Sequence, residues 1–256
     1  MSVEKITSRS NPLISRVKRL RDKRAARKAE GLLIGEGPKL LEEALRWDAQ
    51  LDTVLYTRGT QLPELPEQLR VVEVPEGLMQ AIADTKTPQG VLFLAKGKLE
   101  QLPEKPAGDK FLILDGVQDP GNVGTIWRTA DAFGADGLIL CNGCADPWSP
   151  KTVRATMGAV FRLPVYEEFL SAVAAKLTAA GIPIYATALG NPCLDVRGVD
   201  LTRSAVIIGS EGQGVSQLAL ELCEGTLRIP MTGRCESLNA ACAAAVVLWE
   251  MGRDKL

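Results

Sequence analysis

The sequence predicts an α/β protein in which a C-terminal parallel sheet, sandwiched by helices, follows a smaller α/β domain. After residue 110, short apolar runs alternate with helix-like segments, which is typical of a parallel sheet. These runs do not alternate between apolar and polar residues, so we expect both faces of each strand to be buried. A polar segment with two prolines, residues 96–110, lies between the two parts. We therefore place a boundary near residue 105, giving domains 1–105 and 106–256.

The N-terminal part contains the elements of a small α/β unit. Residues 32–34 form a short apolar strand, and Gly37-Pro38 then opens a helix over residues 39–47, with proline in its first turn. Further strands are predicted over residues 53–56, 70–74 and 90–95. A chain of 256 residues is long enough for this unit and a second, larger one.

A basic run precedes these strands. Residues 16–28, RVKRLRDKRAARK, carry eight positive charges around Asp22. Such a run can contact phosphates. Ile14, Val17 and Leu20 also recur at helical spacing, which favours a helix whose charges face water. The run by itself leaves both interpretations open, and its candidate RNA-binding residues are Arg16, Lys18, Arg19, Arg21, Lys23 and Arg24.

The C-terminal part alternates regularly between strands and helices. Strands are predicted over residues 111–114, 137–141, 182–186, 205–208 and 226–229. Helices are predicted over residues 122–133, 150–160, 169–180, 215–223 and 236–251. Ligands bind at the carboxyl ends of the strands in such sheets, so the glycine-rich loops there are the candidate site.

The first of these loops, DGVQDPGNVG, leads into a helix that contains Arg128. Asn122 is predicted to cap this helix. An apolar stripe is expected to face the core, and Arg128 falls nearly opposite to it, with Gly124, Ala132 and Ala135 around it; the stripe consists of Val123, Ile126, Trp127, Ala130 and Phe133. Taken alone, this stretch favours Arg128 as a surface residue paired with Asp131 three positions on.

Two further loops have unusual polar residues. In IIGSEGQGVS the glycine order is not that of a dinucleotide site, and Glu211 suits a cation or an N–H donor better than a phosphate. The third loop lies in RIPMTGRCESLNAACAAAVVLWE, where Glu236 or Ser237 is expected to begin an alanine-rich helix. Ser237 is a candidate N-cap of that helix.

The composition excludes several kinds of chemistry. The chain has no histidine, which removes Ser-His-Asp, Cys-His and His-metal sites. Cys141 and Cys144 form a C-x-x-C without a second pair, so we predict reduced thiols and no metal site. No apolar run approaches the roughly 18–20 residues of a membrane span. The N-terminus also lacks the apolar core of a secretory signal, and we expect a cytoplasmic location.

Taken together, the three loops resemble a known family. NVGTIWRTADAFGAD, IIGSEGQGVS and IPMTGRCESLNAACAAAVVLWE resemble the ordered motifs of the SpoU (TrmH) family of RNA ribose 2′-O-methyltransferases, in the SPOUT superfamily. The N-terminal part resembles the L30e-like RNA substrate-binding domain of many members, on ITSRSNPLISRVKRL, LLIGEGPKLLEEAL and TKTPQGVLFLA. The resemblance implies a C-terminal trefoil-knot domain, S-adenosyl-L-methionine as cofactor and a homodimer. It also implies a structured RNA substrate, ribosomal RNA rather than transfer RNA.

The resemblance also implies roles for individual residues. The catalytic positions of the family fall on Asn122, Arg128, Glu211, Ser237 and Asn239. Its cofactor contacts fall on Leu189, Gly190, Gly209, Ile229, Met231 and Leu238. The family's arginine has been proposed as the base, but a guanidinium hardly ever gives up its proton. We therefore expect Arg128 to clamp the target phosphate and 2′-hydroxyl, with the other four residues orienting it and the ribose.

Three alternatives remain at this stage. The chain could act on transfer RNA, or it could be a non-catalytic RNA-binding protein on the same fold. The intact set of five motif residues argues against the non-catalytic protein. A nucleotide-cofactor enzyme of Rossmann type is disfavoured by the order of the glycines.

Overall fold

The computed structural model describes residues 4–189 and 192–253. The chain divides into two compact units. Unit 1 consists of Met1–Lys98 and Asp146–Phe161, and unit 2 of Leu99–Ala145 and Arg162–Leu256. The first division falls between residues 98 and 99, and the sequence did not indicate that Asp146–Phe161 joins unit 1.

The elements follow one another along the described residues. In chain order they are β1 (Glu4–Lys5), α1 (Pro12–Asp22), α2 (Arg24–Glu30), β2 (Leu32–Glu36), α3 (Pro38–Arg46), β3 (Leu51–Tyr56), β4 (Arg70–Glu73), α4 (Glu76–Ile82), β5 (Val91–Lys96), β6 (Lys110–Asp115), α5 (Pro120–Ala132), β7 (Gly137–Cys141), α6 (Pro150–Ala155), β8 (Val165–Glu167), α7 (Leu170–Ala179), β9 (Ile184–Thr187), β10 (Leu194–Asp195), β11 (Ser204–Gly209), α8 (Gln217–Leu222), β12 (Gly225–Arg228) and α9 (Ala240–Gly252). Two short 3₁₀ helices span Ala159–Phe161 and Val196–Gly198. None of the described helices has the length and apolar character needed to cross a bilayer.

Unit 1 is built on a five-stranded mixed sheet in the order β1-β4-β3-β5-β2. Helix α1 begins where the side chain of Asn11 accepts a hydrogen bond from the Leu13 amide at 2.9 Å, with Pro12 in the first turn. Its apolar face, which includes Val17 and Leu20, is buried in the core of this unit. The segment Asp146–Phe161 is tied in by a buried ion pair, in which Arg27 Nη2 lies 2.6 Å from Asp146 Oδ2.

Unit 2 is built on a seven-stranded sheet in the order β10-β12-β9-β11-β6-β7-β8. Every pair of neighbouring strands is parallel, which confirms the predicted parallel sheet. The central strands β6 and β7 are buried along their whole length, as their uninterrupted apolar sequences require. The short strands β8 and β10 were not predicted, because two or three residues give no readable periodicity.

Helix α5 buries the predicted stripe at Val123, Ile126, Trp127 and Ala130, but it begins earlier than predicted. Asp119 is its N-cap and accepts a hydrogen bond from the Asn122 amide at 2.9 Å, with Pro120 at the first helical position. The prediction that Asn122 caps this helix is therefore wrong. Proline is favoured at the first position of a helix, so the cap falls on the preceding aspartate. The Asn122 side chain is thus available for other contacts.

Helix α9 begins later than predicted. The Asn239 side chain accepts hydrogen bonds from the amides of Ala241 at 2.9 Å and Cys242 at 3.3 Å, which makes Asn239 the N-cap. The prediction that the helix starts at Glu236 or Ser237 is wrong. Both residues lie instead in an exposed loop that precedes the helix.

Candidate functional site

A cavity of about 500 Å³ opens at the carboxyl ends of β9, β11 and β12 in unit 2. Its size falls within the range of roughly 300–1,000 Å³ found for small-molecule sites. The walls include five of the six predicted cofactor residues, namely Leu189, Gly209, Ile229, Met231 and Leu238. The sixth, Gly190, lies outside the described residues. The structure thus brings together residues from three separate loops around one cavity.

A tight turn after β11 forms one wall of this cavity. Ser210 and Gly214 exchange two backbone hydrogen bonds, of 3.0 and 2.9 Å. Gly214 has a φ of 69°, which favours glycine. A Cβ atom on Gly209 would lie 2.1 Å from the backbone carbon of Gly214, so a side chain at 209 would push the turn open. These two glycines let the chain fold back on the end of β11, with Glu211 at the exposed tip.

Three of the predicted catalytic residues form a chain of hydrogen bonds. The Asn122 Nδ2 group donates to Glu211 Oε1. The Asn239 Nδ2 group donates to Asn122 Oδ1 at 3.2 Å. Because the other side-chain atom of Asn239 caps α9, both ends of its amide are fixed. The helix starts of α5 and α9 are therefore linked to the turn after β11 through these side chains.

This chain of side chains adjoins the cavity. Glu211 and Ser237 both belong to the cavity wall. Glu236, just before Ser237, also lines it. The structure therefore brings four of the five predicted catalytic residues, Asn122, Glu211, Ser237 and Asn239, to one edge of the cavity.

Arg128 lies apart from these four residues. It is exposed on α5, on the same face as Thr125 and Ala132, and does not line the cavity. It makes no hydrogen bond or ion pair within the described parts of the chain. Asp131 pairs with Arg162 instead, with Nε 2.8 Å from Oδ2, so the predicted pairing of Arg128 with Asp131 is wrong. Gly124, expected beside Arg128, is buried.

A second cavity, of about 690 Å³, lies on the other side of the turn after β11. Asp115, at the end of β6, lines it and is only 3% exposed. Its carboxylate accepts hydrogen bonds from Asn142 Nδ2 and from the Ser216 amide, both at 2.6 Å. The three loop motifs imply no role for Asp115. The signal was a carboxylate placed directly at the end of an otherwise apolar strand.

Two of the six candidate RNA-binding residues, Arg16 and Arg19, pair with acidic residues of unit 1. Arg16 pairs with Glu30 at 2.6 Å and with Asp52 at 3.1 Å, and Arg19 pairs with Glu30 at 2.7 Å. Burial acts to raise the pKa of Glu30, but its hydrogen bonds with Arg19 and Arg16 outweigh burial and lower that pKa. These contacts leave less of the charge of both arginines available for phosphates.

The other candidates differ in their contacts. Arg21 pairs with Asp22 at 2.7 Å and also donates to the carbonyl oxygens of Ala81 and Ala83. Arg24 is exposed and has contacts of its own. Lys18 and Lys23 make no hydrogen bond or ion pair through their side chains with any described residue. The two lysines are therefore the members of the basic run that are most available for a partner.

The two cysteines of the C-x-x-C are buried free thiols. Cys144 Sγ donates to the carbonyl oxygens of Leu114 at 3.2 Å and of Cys141 at 3.1 Å. Burial raises the pKa of both thiols, that of Cys144 to about 11. Within residues 4–189 and 192–253, no group of three or more His, Cys, Asp or Glu residues could hold a metal ion.

Comparison with known proteins places the chain in a family. The sequence profile of the SpoU rRNA Methylase family matches residues 109–249, and that of the MRM3-like substrate binding domain matches residues 11–93. The 23S rRNA (guanosine(2553)-2′-O)-methyltransferase RlmP of Bacillus subtilis is 34% identical over 250 residues, which cover 97% of this chain and 99% of that protein. The 23S rRNA (uridine(2479)-2′-O)-methyltransferase of Streptomyces viridochromogenes is 34% identical over 253 residues, 92% of this chain and 86% of that protein.

A solved structure agrees with these matches. The AdoMet-bound rRNA methyltransferase from Sinorhizobium meliloti superposes with a TM-score of 0.88 at 32% identity, covering 99% of both chains. The resemblance predicted from the three motifs is confirmed. The chain belongs to the SpoU rRNA methylase family, and it is an RNA 2′-O-methyltransferase that uses S-adenosyl-L-methionine.

Proposed function

We propose that this enzyme methylates the 2′-oxygen of a ribose in ribosomal RNA, with the cofactor held in the cavity at the ends of β9, β11 and β12. The observation that carries the proposal is the position of the Asn122–Glu211–Asn239 chain at the edge of that cavity. Both curated relatives described above are named as 23S rRNA 2′-O-methyltransferases, which supports ribosomal RNA over transfer RNA.

The chemistry of the cavity wall fits this cofactor. Aliphatic side chains such as Leu189, Ile229 and Leu238 offer an apolar surface for a flat ring. The charged residues that the structure describes in this wall, Glu211 and Glu236, are both acidic. Carboxylates attract a positively charged sulfonium and repel phosphates, so the wall favours S-adenosyl-L-methionine over a dinucleotide.

The hydrogen-bonded side chains of Asn122, Glu211 and Asn239 would prepare the ribose for methyl transfer. When bound, S-adenosyl-L-methionine supplies a methyl group on a positively charged sulfur. Glu211 is held by Asn122, and Asn122 by Asn239, so the polar edge of the site is fixed before substrate binds. We propose that this edge and Ser237 orient the ribose, because positioning supplies much of the rate of such a transfer. Arg128 would lower the pKa of the 2′-hydroxyl by its charge.

We propose that the chain acts as a homodimer, formed through α5 and α9. These helices pack against each other, and the Phe133 and Trp249 rings meet edge to face with centroids 5.8 Å apart. Trp249 nevertheless remains 50% exposed, in a stripe of α9 that also contains Cys242 and Val246. A second copy would cover this apolar stripe. Arg128 does not line the cavity of its own chain, and we propose that it reaches the cavity of the partner.

We also propose roles for the two parts of the chain and a location for the enzyme. The basic run and the sheet of unit 1, in the region matched by the substrate-binding profile, would hold the RNA, as an L30e-like domain over residues 1–105. We propose that residues 106–256 carry the methyltransferase domain with a C-terminal trefoil knot; the packing of α9 on both α5 and β11 is compatible with such threading. The enzyme would work in the cytoplasm.

The test is to map 2′-O-methylation across total RNA from cells with and without this gene. The proposal expects one or a few ribosomal RNA positions to lose the modification. Loss of methylation at a transfer RNA position would mean that the substrate is transfer RNA instead. No change in the methylation of any RNA would overturn the proposal. Calorimetry with S-adenosyl-L-methionine and with NAD provides the cofactor control, because only the first is expected to bind.

A further inference from the structure

We propose that the second cavity of unit 2 binds the base of the nucleotide that is methylated, and that its carboxamide side chains recognise that base. This inference rests on the proposed function and adds a specificity site to it. Three observations support it: the position of the cavity, the chemistry of its wall and the hydrogen bonds that hold that wall in place.

The place of the second cavity suits a base. It lies at the carboxyl ends of β6, β7 and β11, and the turn from Ser210 to Gly214 separates it from the cofactor cavity. Glu211 and Gln213 line both cavities. In a nucleotide, the base and the 2′-hydroxyl sit on adjacent carbons of the ribose. A ribose held beside Glu211 with its hydroxyl toward the cofactor cavity can therefore direct its base into the second cavity.

The chemistry of the wall suits a neutral ring with polar edges. Among the residues that the structure describes, no lysine or arginine lines the second cavity, and the two charged residues in its wall are acids, which disfavours a phosphate. Its other large polar side chains are carboxamides, from Gln118, Asn142, Gln213 and Gln217. A carboxamide offers donors and an acceptor side by side, the arrangement that matches the edge of a base. The described part of the chain places no aromatic residue in this wall, so recognition would be by hydrogen bonds rather than by stacking.

The carboxamides differ in how far they are already engaged. Gln118 is exposed, and its side chain makes no hydrogen bond with any residue that the structure describes. Asn142 uses its Nδ2 group on Asp115, which leaves its oxygen for a ligand. Gln217 donates from Nε2 to Glu221 at 3.1 Å, at an exposed position. The cavity therefore has polar groups that are free to bind without breaking a buried contact.

Asp115 fixes the wall in advance. Its two carboxylate oxygens hold Asn142 at the end of β7 and the Ser216 amide at the start of α8. Asn142 has a φ of 52°, a left-handed conformation that its bond to Asp115 stabilises. Three loops are thereby joined at one buried group, and a wall that is already ordered loses little entropy when a ligand binds.

The same wall indicates which bases are preferred. The carboxylate of Glu211, the exposed acid of this wall, can only accept hydrogen bonds when ionised. Adenine, cytosine and guanine carry an exocyclic amino group with two N–H donors for such an acceptor, whereas uracil offers a single N–H donor, at N3. The cavity therefore favours a base with an amino group over uracil.

The experiment uses the RNA fragment that contains the mapped position, made with each of the four bases there. The value of kcat/KM is measured for the full-length enzyme and for the variants Gln118→Ala and Gln217→Ala, which line only the second cavity. Gln101→Ala is the matched control, because Gln101 is an exposed glutamine of the same unit outside both cavities. Affinity for S-adenosyl-L-methionine is followed by calorimetry, and affinity for each RNA by fluorescence anisotropy.

The wild-type enzyme is expected to methylate the uracil-containing RNA most slowly. Gln118→Ala and Gln217→Ala should each reduce kcat/KM and affinity for the preferred base by about tenfold, with less effect on uracil. Cofactor affinity should stay unchanged, as should all values for Gln101→Ala. Equal kcat/KM values for all four bases would overturn the proposal that this cavity binds the base. Ratios of kcat/KM between bases that neither variant changes would do the same, and both results would leave the proposed function standing. A wild-type enzyme that methylates none of the RNAs would overturn the proposed function as well.

Discussion

The side chain of Asn239 donates a hydrogen bond to the side chain of Asn122, at 3.2 Å and across 117 positions of the sequence. Asn122 in turn donates to Glu211. The amide of Asn239 thus has two tasks, because its oxygen caps α9 while its nitrogen positions Asn122. Substitutions can separate these tasks.

Asn239→Asp keeps an oxygen that can cap α9 but removes the amide donor to Asn122. We expect the free energy of unfolding to stay close to that of the wild type, while kcat falls at least tenfold. Asn239→Ala loses both tasks and should also lose about 1 kcal/mol of stability. The measurements are urea denaturation and single-turnover methylation. Ser149→Ala, which removes the cap of α6 in unit 1, is the control and should affect stability only. Unchanged turnover in Asn239→Asp would refute a positioning role for the amide.

Arg128→Ala should abolish methylation while leaving the affinity for S-adenosyl-L-methionine nearly intact, because Arg128 does not line the cofactor cavity. Equal loss of both would mean that Arg128 is structural.

Mixed dimers test whether Arg128 acts on the partner. Arg128→Ala and Glu211→Ala homodimers should each be inactive. A heterodimer of the two has one complete site if Arg128 reaches the cavity of the other protomer, and none if it serves its own chain. Differently tagged subunits, purified through both tags, should recover about half of the wild-type rate. An inactive heterodimer would contradict action between subunits.

Asp115→Asn replaces one acceptor oxygen with an NH₂ group that faces a donor. We expect a loss of about 1–3 kcal/mol in the free energy of unfolding, because a buried donor loses its partner. Turnover should fall too, since Ser216 and Asn142 are no longer held. Asp109→Asn is the matched control: its pair with Arg203 is exposed and is worth less than about 1 kcal/mol. Urea denaturation measures the free energy of unfolding of both variants. Equal losses would show that the buried contacts of Asp115 stabilise the fold no more than the exposed ion pair of Asp109 does.

The basic run gives a prediction about salt. Replacing Arg19, Arg21 and Arg24 by Ala should weaken RNA binding if the run contacts phosphates. The structure indicates a second pair to test, because the side chains of Lys18 and Lys23 form no hydrogen bond or ion pair with a described residue. Lys18→Ala with Lys23→Ala should reduce the slope of log affinity against log salt by about 0.7–0.9 for each phosphate that is no longer neutralised by a lysine. An unchanged slope in filter-binding titrations would indicate that the basic run is a helix whose charges face water and do not contact RNA.

The thiols should react very differently with alkylating reagents. Burial raises the pKa of Cys141, and raises that of Cys144 to about 11. The thiolate is the reactive form, so both groups stay protonated and unreactive near pH 8 in the folded protein. Cys235 is exposed in the loop before α9 and should be modified first. Mass spectrometry after a brief iodoacetamide pulse measures this order, and the protection of Cys144 should weaken only as pH approaches 11. Early modification of Cys144 at pH 8 would contradict its burial.

Much of this protein is determined by local sequence. The uninterrupted apolar runs of β6 and β7 determine buried parallel strands, because a strand with two apolar faces needs cover on both sides. The absence of histidine limits the chemistry, and the motif order indicates the family. The glycine at 209 is likewise explained by a turn that follows it directly.

Tertiary structure alone decided how distant groups meet. Periodicity does not encode the order of strands in a sheet, and that order brings Asn122, Glu211 and Asn239 together. It also decided that Asp146–Phe161 joins unit 1 and that Glu30 forms ion pairs with Arg16 and Arg19 of the basic run. Caps show the same limit on a short scale: Asp119 and Asn122 are both good capping residues, and the competition between them depends on the backbone entering α5. A sequence pattern reports which residues prefer burial or capping, whereas the packed chain decides which of these preferences can be met at once.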